Sequence, residues 1–178
     1  HTWLPDAYTE APTTTTVLLA GVMSKLGVYG FLRYALPLFP DGAQWAQPLL
    51  LTLAVVGILY CALVATVQRD FKTLVAYSSV SHLGFIALGI FAFNLPGLQG
   101  GVFYMVAHGL VIGGLFFVTG MLEERRGTRR IEDFGGLQQV VPRMGAVMLV
   151  ITLGSVALPG LVGFVGEFLT LLGAFLSN

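Results

Sequence analysis

Lys25 sits at the middle of an otherwise apolar stretch, TVLLAGVMSKLGVYGFLRY (residues 16–34), and no other feature constrains the fold as tightly. A helix of that length rises ~1.5 Å per residue and matches the ~30 Å hydrocarbon core of a bilayer. A lysine at the centre of such a span costs about 2.5–3.5 kcal/mol on insertion scales, so its side chain is expected to face a polar interior. Composition points the same way: 56% of the 178 residues are hydrophobic and 10% charged, where a soluble domain carries about 25% charged residues. The formal net charge is zero, which gives no electrostatic case for a nucleic-acid partner or an acidic substrate. Cys61 is the only cysteine, so no intrachain disulfide is possible and no cysteine metal site is suggested.

The remaining apolar runs predict an all-α, polytopic transmembrane helix bundle forming a single transmembrane domain over 1–178. Its spans are expected at about 16–35, 49–67, 71–93, 100–122 and 144–176. Residues 1–15, with Trp3, Pro5 and Pro12, read as an interfacial connection, and the Thr13 to Thr16 run offers hydroxyl caps to the first span. Pro37, Pro40 and Asp41-Gly42 predict the end of that span, and Pro48 the start of the next. Asp70 is placed to cap the third span, while Asn94, Pro96 and Gly97 are expected to close it. Glycines along the fourth span predict close packing with its neighbours.

The segment EERRGTRRIEDFGGLQQVVPR (residues 123–143) holds most of the charge and reads as a solvated loop with room for a short surface helix. The final apolar region is too long for one ordinary span, and Pro159, Gly160 and Gly163 predict a break in it, with Gly166 loosening the same region. Irregular backbone at membrane depth is tolerated only where protein or a water-filled cavity satisfies it, so a broken helix beside Glu167 predicts an ion site. Arg69, Lys72, Arg125, Arg126, Arg129, Arg130 and Arg143 all fall on one side of the spans. Only Arg33 falls on the other, which predicts a cytoplasmic or matrix-equivalent face for the basic loops. The first residues lack a basic region followed by a short apolar segment, so no signal peptide is expected, and the chain reads as an internal piece of a longer membrane protein.

Lys25, His82, His108 and Glu167 are the ionisable residues left at mid-span or beside the break. Lined up parallel to the membrane plane, they predict a horizontal proton relay rather than a vertical pore. A buried lysine and a buried carboxylate both move toward neutral pH by desolvation, and histidine can accept on one ring nitrogen while donating from the other. Ser78, Ser81 and His82 share one helical face, so Ser78 and Ser81 are expected to support His82. The plainer reading of each histidine is a structural hydrogen-bonding group. The sequence carries no dinucleotide fingerprint, phosphate loop, paired-histidine metal motif or nucleophile elbow.

HTWLPDAYTEAP, LLAGVMSKLGVYGFLRYALPLFP, DFKTLVAYSSVSHLGF, MVAHGLVIGGLFF and LPGLVGFVGEFLTLLGAF occur in that order and resemble the antiporter-like subunits of respiratory complex I. The likeness is greatest to the M type of bacterial NADH-quinone oxidoreductase, counterpart of mitochondrial chain 4. The resemblance implies a fragment of an antiporter-like inverted-repeat fold, the second repeat with its entrance, with a discontinuous last helix. It implies proton translocation coupled to quinone reduction elsewhere, with Lys25, His82, His108 and Glu167 as relay residues, no catalytic residue, and a glutamate–lysine pair of the first repeat upstream of His1.

The resemblance further implies a subunit of an enzyme complex, a translocase, with no redox chemistry, cofactor or metal in this chain. NADH, FMN, iron–sulfur clusters and quinone are expected in other subunits. Partners would be other membrane subunits, especially neighbouring antiporter-like ones, together with lipid, water and protons, but no nucleic acid. The location would be a bacterial plasma membrane or an organellar inner membrane. Tyr8 stands where many relatives of this type have histidine, and the Thr13 to Thr16 run replaces a more usual small-residue turn. Tyrosine at that first position also occurs in subunits of multi-subunit sodium/proton antiporters, so such an assembly is the alternative. A purely structural membrane subunit is a third reading.

Overall fold

Two short polar side chains set the ends of the central helices. In the computed structural model, which describes residues 2–177, the Asp70 carboxylate accepts from the Thr73 amide at 3.0 Å and opens a helix over Phe71–Phe91. The Asn94 carbonyl accepts from the Gly97 amide at 2.9 Å and opens the next helix, Leu95–Arg126. Each cap satisfies one of the amides that a helix start leaves without a partner. Asn94 and Pro96 therefore begin a helix rather than close one. Pro96 fits because its missing N–H falls in the first turn, where no intrahelical bond is lost.

In chain order the helices are α1 (Leu4–Glu10), α2 (Thr13–Leu38), α3 (Pro40–Thr66), α4 (Phe71–Phe91), α5 (Leu95–Arg126), α6 (Leu137–Val140), α7 (Pro142–Ser155) and α8 (Val162–Leu176). Of these, α2, α3, α4 and α5 are long and apolar enough to cross a membrane. The chain is an integral membrane protein. A 3-10 turn, Ile131–Asp133, and α6 occupy the polar segment, while Glu123 to Arg126 extend α5 rather than join the loop.

Two proline readings are corrected. Pro37 does not end α2, because a π turn over Phe31–Ala35 precedes it and the helix runs on to Leu38. Such a widened turn is one of the local adjustments by which a helix absorbs a missing donor. Pro48 lies inside α3, which begins at Pro40 and takes Asp41 and Gly42 into its first turn. The threonine run also acts differently from expectation. Pro12 precedes α2 with no side-chain cap, and the Thr16 hydroxyl turns back to the Tyr8 carbonyl at 2.9 Å, tying α1 to α2.

The core lies where α4 and α5 meet, flanked by α3, α8, α1 and α2. Ile86, Ile90, Ile112 and Phe116 are fully enclosed there, and Tyr8 from α1 packs edge-on against Phe116. Along α8 the buried residues are Gly163, Gly166, Thr170 and Gly173. That spacing of three and four puts small residues on one face, which lets backbones approach in a membrane bundle. The approach is close: a Cβ on Gly100 of α5 would lie 2.6 Å from the Thr170 amide nitrogen.

On the basic side, Arg129 bonds the Thr9 carbonyl at 3.0 Å and Asp70 at 3.1 Å, while Lys72 donates to the Ala11 carbonyl at 2.6 Å. Asp70 and Arg130 form an isolated antiparallel bridge. The N-terminal segment, the α3–α4 link and the loop after α5 are thereby fastened together.

Candidate functional site

The last apolar region is discontinuous, as its glycines and proline predict, but the break is displaced toward the N terminus. α7 ends at Ser155 and α8 starts at Val162, with Ala157 at φ 52° and Gly160 at φ 95° between them. Pro159 and Gly160 lie in the break. Gly163 does not: it is a buried residue of α8 whose Cβ would collide with the Gly154 carbonyl of α7. The two half-helices are held together by that close approach, so Gly163 and Gly166 tighten the region rather than loosen it.

Glu167 follows one turn into α8 and points back toward α4 and α5. Its Oε1 lies 3.3 Å from His82 Nδ1 and accepts a hydrogen bond from the Tyr104 hydroxyl. The same phenol oxygen is 2.7 Å from His82 Nδ1. One turn further along α5, the His108 ring lies 5.7 Å from that of His82, centroid to centroid. His108 Nε2 is 3.3 Å from the Ser79 hydroxyl, and its Nδ1 is buried with no hydrogen-bond partner among the described residues. A cavity of about 10 Å³ is bordered by both histidines, Tyr104, Ser155 and Gly163, about the space one water molecule needs.

Ser78 and Ser81 do not serve His82 as expected. The Ser78 hydroxyl bonds the Val75 carbonyl at 3.1 Å in its own helix, and Ser81 bonds the Ile58 carbonyl of α3 at 2.9 Å. The Ser78 bond is back-bonding that satisfies a hydroxyl within its own helix, and the Ser81 bond is spent on holding α4 against α3. The hydroxyls near His82 come from other helices: Tyr104 of α5, and Ser155 at the end of α7, 3.4 Å from Nε2. Sequence reasoning missed Ser79, Tyr104 and Ser155. Tyr104 had a signal, since it precedes His108 by four residues and so shares its helical face. Ser78 and Ser81 do line a cavity of about 490 Å³ with Thr119, Thr152 and Ser155, which runs from Ala65 and Phe71 at the basic end to His82 and Glu167.

Lys25 stands apart from this cluster. It is 8% exposed, and its ammonium donates to the Ala20 carbonyl and to the Ser24 hydroxyl, the latter at 3.1 Å. A π turn over Leu19–Met23 lies immediately before it. Gly109, the residue after His108, faces this segment: a Cβ there would lie 2.7 Å from the Gly21 carbonyl oxygen and 3.8 Å from Lys25 Cε. Three of the expected residues are thus brought into one cluster, and the fourth lies across the Gly109 backbone.

A polytopic transmembrane bundle in which ionisable side chains meet beside a discontinuous helix defines an antiporter-like membrane fold. The chain belongs to the NADH:quinone oxidoreductase/Mrp antiporter transmembrane family, whose profile matches residues 1–178. It is 48% identical over 178 residues to the NADH-quinone oxidoreductase subunit M of Rhodobacter capsulatus, covering 100% of this chain and 35% of that protein. Among solved structures, a chain of respiratory complex I from Thermus thermophilus superposes with TM-score 0.94 at 46% identity, covering 100% of this chain and 38% of that one. A chain of the Mrp complex from Dietzia sp. superposes with TM-score 0.93 at 26% identity, covering 99% and 33%. The chain spans about a third of the length of these relatives.

Proposed function

We propose that this chain is part of an M-type antiporter-like subunit of a proton-translocating NADH-quinone oxidoreductase, and that it carries protons along a buried polar axis. The observation that carries this reading is the meeting of His82, His108 and Glu167 beside the α7–α8 break. Protons would pass from Lys25 past Gly109 to His108, then to His82 and Glu167, with water completing the Lys25–His108 gap. Histidine suits the middle stations because either ring nitrogen can take up or release the proton. The cavity that reaches His82 from the basic end is lined mainly by apolar side chains, but Ser78, Ser81, Thr119, Thr152 and Ser155 stand among them, which supports access of water from that side.

On this reading the chain performs no redox chemistry. NADH, FMN, iron–sulfur clusters and quinone would be held by other subunits, and neighbouring antiporter-like subunits would be its membrane partners. Quinone reduction elsewhere in the complex would drive the relay. The test is Lys25→Ala in the full-length subunit within the assembled complex, with NADH-driven quinone reduction and proton uptake into vesicles measured together. Pumping should fall sharply, and wild-type pumping would sink the assignment of Lys25.

The likeness to the Mrp chain supports a second reading, a sodium/proton antiporter subunit without redox coupling. Co-purification with iron–sulfur subunits supports the first reading. Sodium-dependent proton flux in their absence supports the second.

A further inference from the structure

We propose that the Tyr104 phenol is itself a member of the proton path, carrying the proton between His82 and Glu167; the inference rests on the relay reading above. Tyr104 is 2% exposed, and its single hydroxyl touches both neighbours, lying 2.7 Å from His82 Nδ1 and donating to Glu167 Oε1. The direct contact between His82 Nδ1 and Glu167 Oε1 is longer, at 3.3 Å, so the phenol provides the shorter connection.

The ring is held for this role. A Cβ on Gly166, the residue before Glu167, would lie 2.5–2.7 Å from Tyr104 ring and Cβ atoms, so the ring rests directly on the α8 backbone. Edge-to-face contacts with His82 at 6.0 Å and Phe85 at 6.5 Å fix its tilt. A buried tyrosine hydroxyl ordinarily needs one partner for packing alone. Here it has two, and both are titratable groups of the proposed relay.

The transfer balances within the three residues. With His82 protonated on both nitrogens and Glu167 ionised, the Nδ1–H bond breaks as a new bond forms between that hydrogen and the phenol oxygen. The original phenol O–H bond breaks in the same step, and its proton joins Glu167 Oε1. A neutral imidazole, an intact tyrosine and a neutral carboxyl result. Rotation of the phenol O–H back toward Glu167, once that residue has released its proton and His82 has taken up another from the His108 side, restores the starting arrangement.

Tyr104→Phe keeps the ring on Gly166 and removes only the hydroxyl. In the full-length subunit of the assembled complex, proton pumping should fall about 100-fold or more, the range that positioned proton-transferring groups contribute, with the amount of assembled complex unchanged. Glu167→Gln is measured beside it. Wild-type pumping in Tyr104→Phe together with lost pumping in Glu167→Gln overturns the proposal and leaves the relay standing. Wild-type pumping in both overturns the relay as well. Should Tyr104→Phe disturb assembly, replacing Tyr104 with difluorotyrosine keeps shape and hydroxyl while making the phenol more acidic. A shifted pH profile of pumping is then expected, and an unshifted one overturns the proposal.

Discussion

At the scale of single residues, Asn94 ties the cap of one helix to the end of another. Its carbonyl caps α5, and its amide donates to the Gly173 carbonyl of α8 at 2.6 Å. Asn94→Ala removes both bonds and should destabilise the subunit by about 1–3 kcal/mol, read as a lower midpoint for thermal disassembly of the complex. Asn94→Asp keeps the cap but turns a carboxylate oxygen toward the Gly173 carbonyl, so it should lower the midpoint at least as far as Asn94→Ala. The sequence made the charged members of the site legible because an ionisable group at mid-span is costly wherever it occurs, and Lys25, His82, His108 and Glu167 could be picked out on that ground alone. Hydroxyl partners are a different matter. Ser78, Ser79 and Ser81 are chemically alike and adjacent in sequence, yet only Ser79 faces His108. That choice depends on how α4 is rotated against α5, which no single-helix pattern specifies.

Among the elements, the pair of half-helices α7 and α8 carries the clearest mechanical requirement. Gly163→Ala would place a methyl group against the Gly154 carbonyl, and backbone cannot yield as a flexible side chain does. Overpacking of this kind costs about 1–3 kcal/mol. The variant should reduce the yield of assembled complex, and in what assembles it should draw Ser155 away from His82, lowering pumping without changing the titratable residues. Native gel quantification and pumping per assembled complex separate the two effects. The existence of every long helix was legible from hydropathy and length, but several ends were not. Pro37 and Pro48 looked like boundaries because proline removes a backbone donor. A π turn accommodates the first, and the second lies within the long helix that begins at Pro40. Asn94 looked like a terminator because caps and turns use the same residue types.

For the molecule as a whole, the ends of α3 and α5, the starts of α2, α4 and α7, and the loop holding α6 share one face of the bundle. Arg69, Arg126 and Arg130 all belong to that face. The positive-inside rule then orients the chain. In a Cys61→Ala background, Gly127→Cys should react with a membrane-impermeant maleimide only in inverted vesicles, and Gln44→Cys only in right-side-out ones. The reverse pattern would overturn the orientation. At this scale the fold was the most legible, because the ordered motifs around Lys25, His82, His108 and Glu167 already resembled the family whose profile matches residues 1–178. The seam of Gly89, Gly97, Gly100 and Gly173 carries a further implication, for variation. These residues already have the smallest possible side chain, and each faces backbone or side-chain atoms closer than a Cβ could stand. Substitution there can only add volume, never remove it, so the spectrum of tolerated change is one-sided. Random mutagenesis scored by assembly should leave this patch nearly blank while the exposed side of α3 accumulates exchanges among apolar residues more freely.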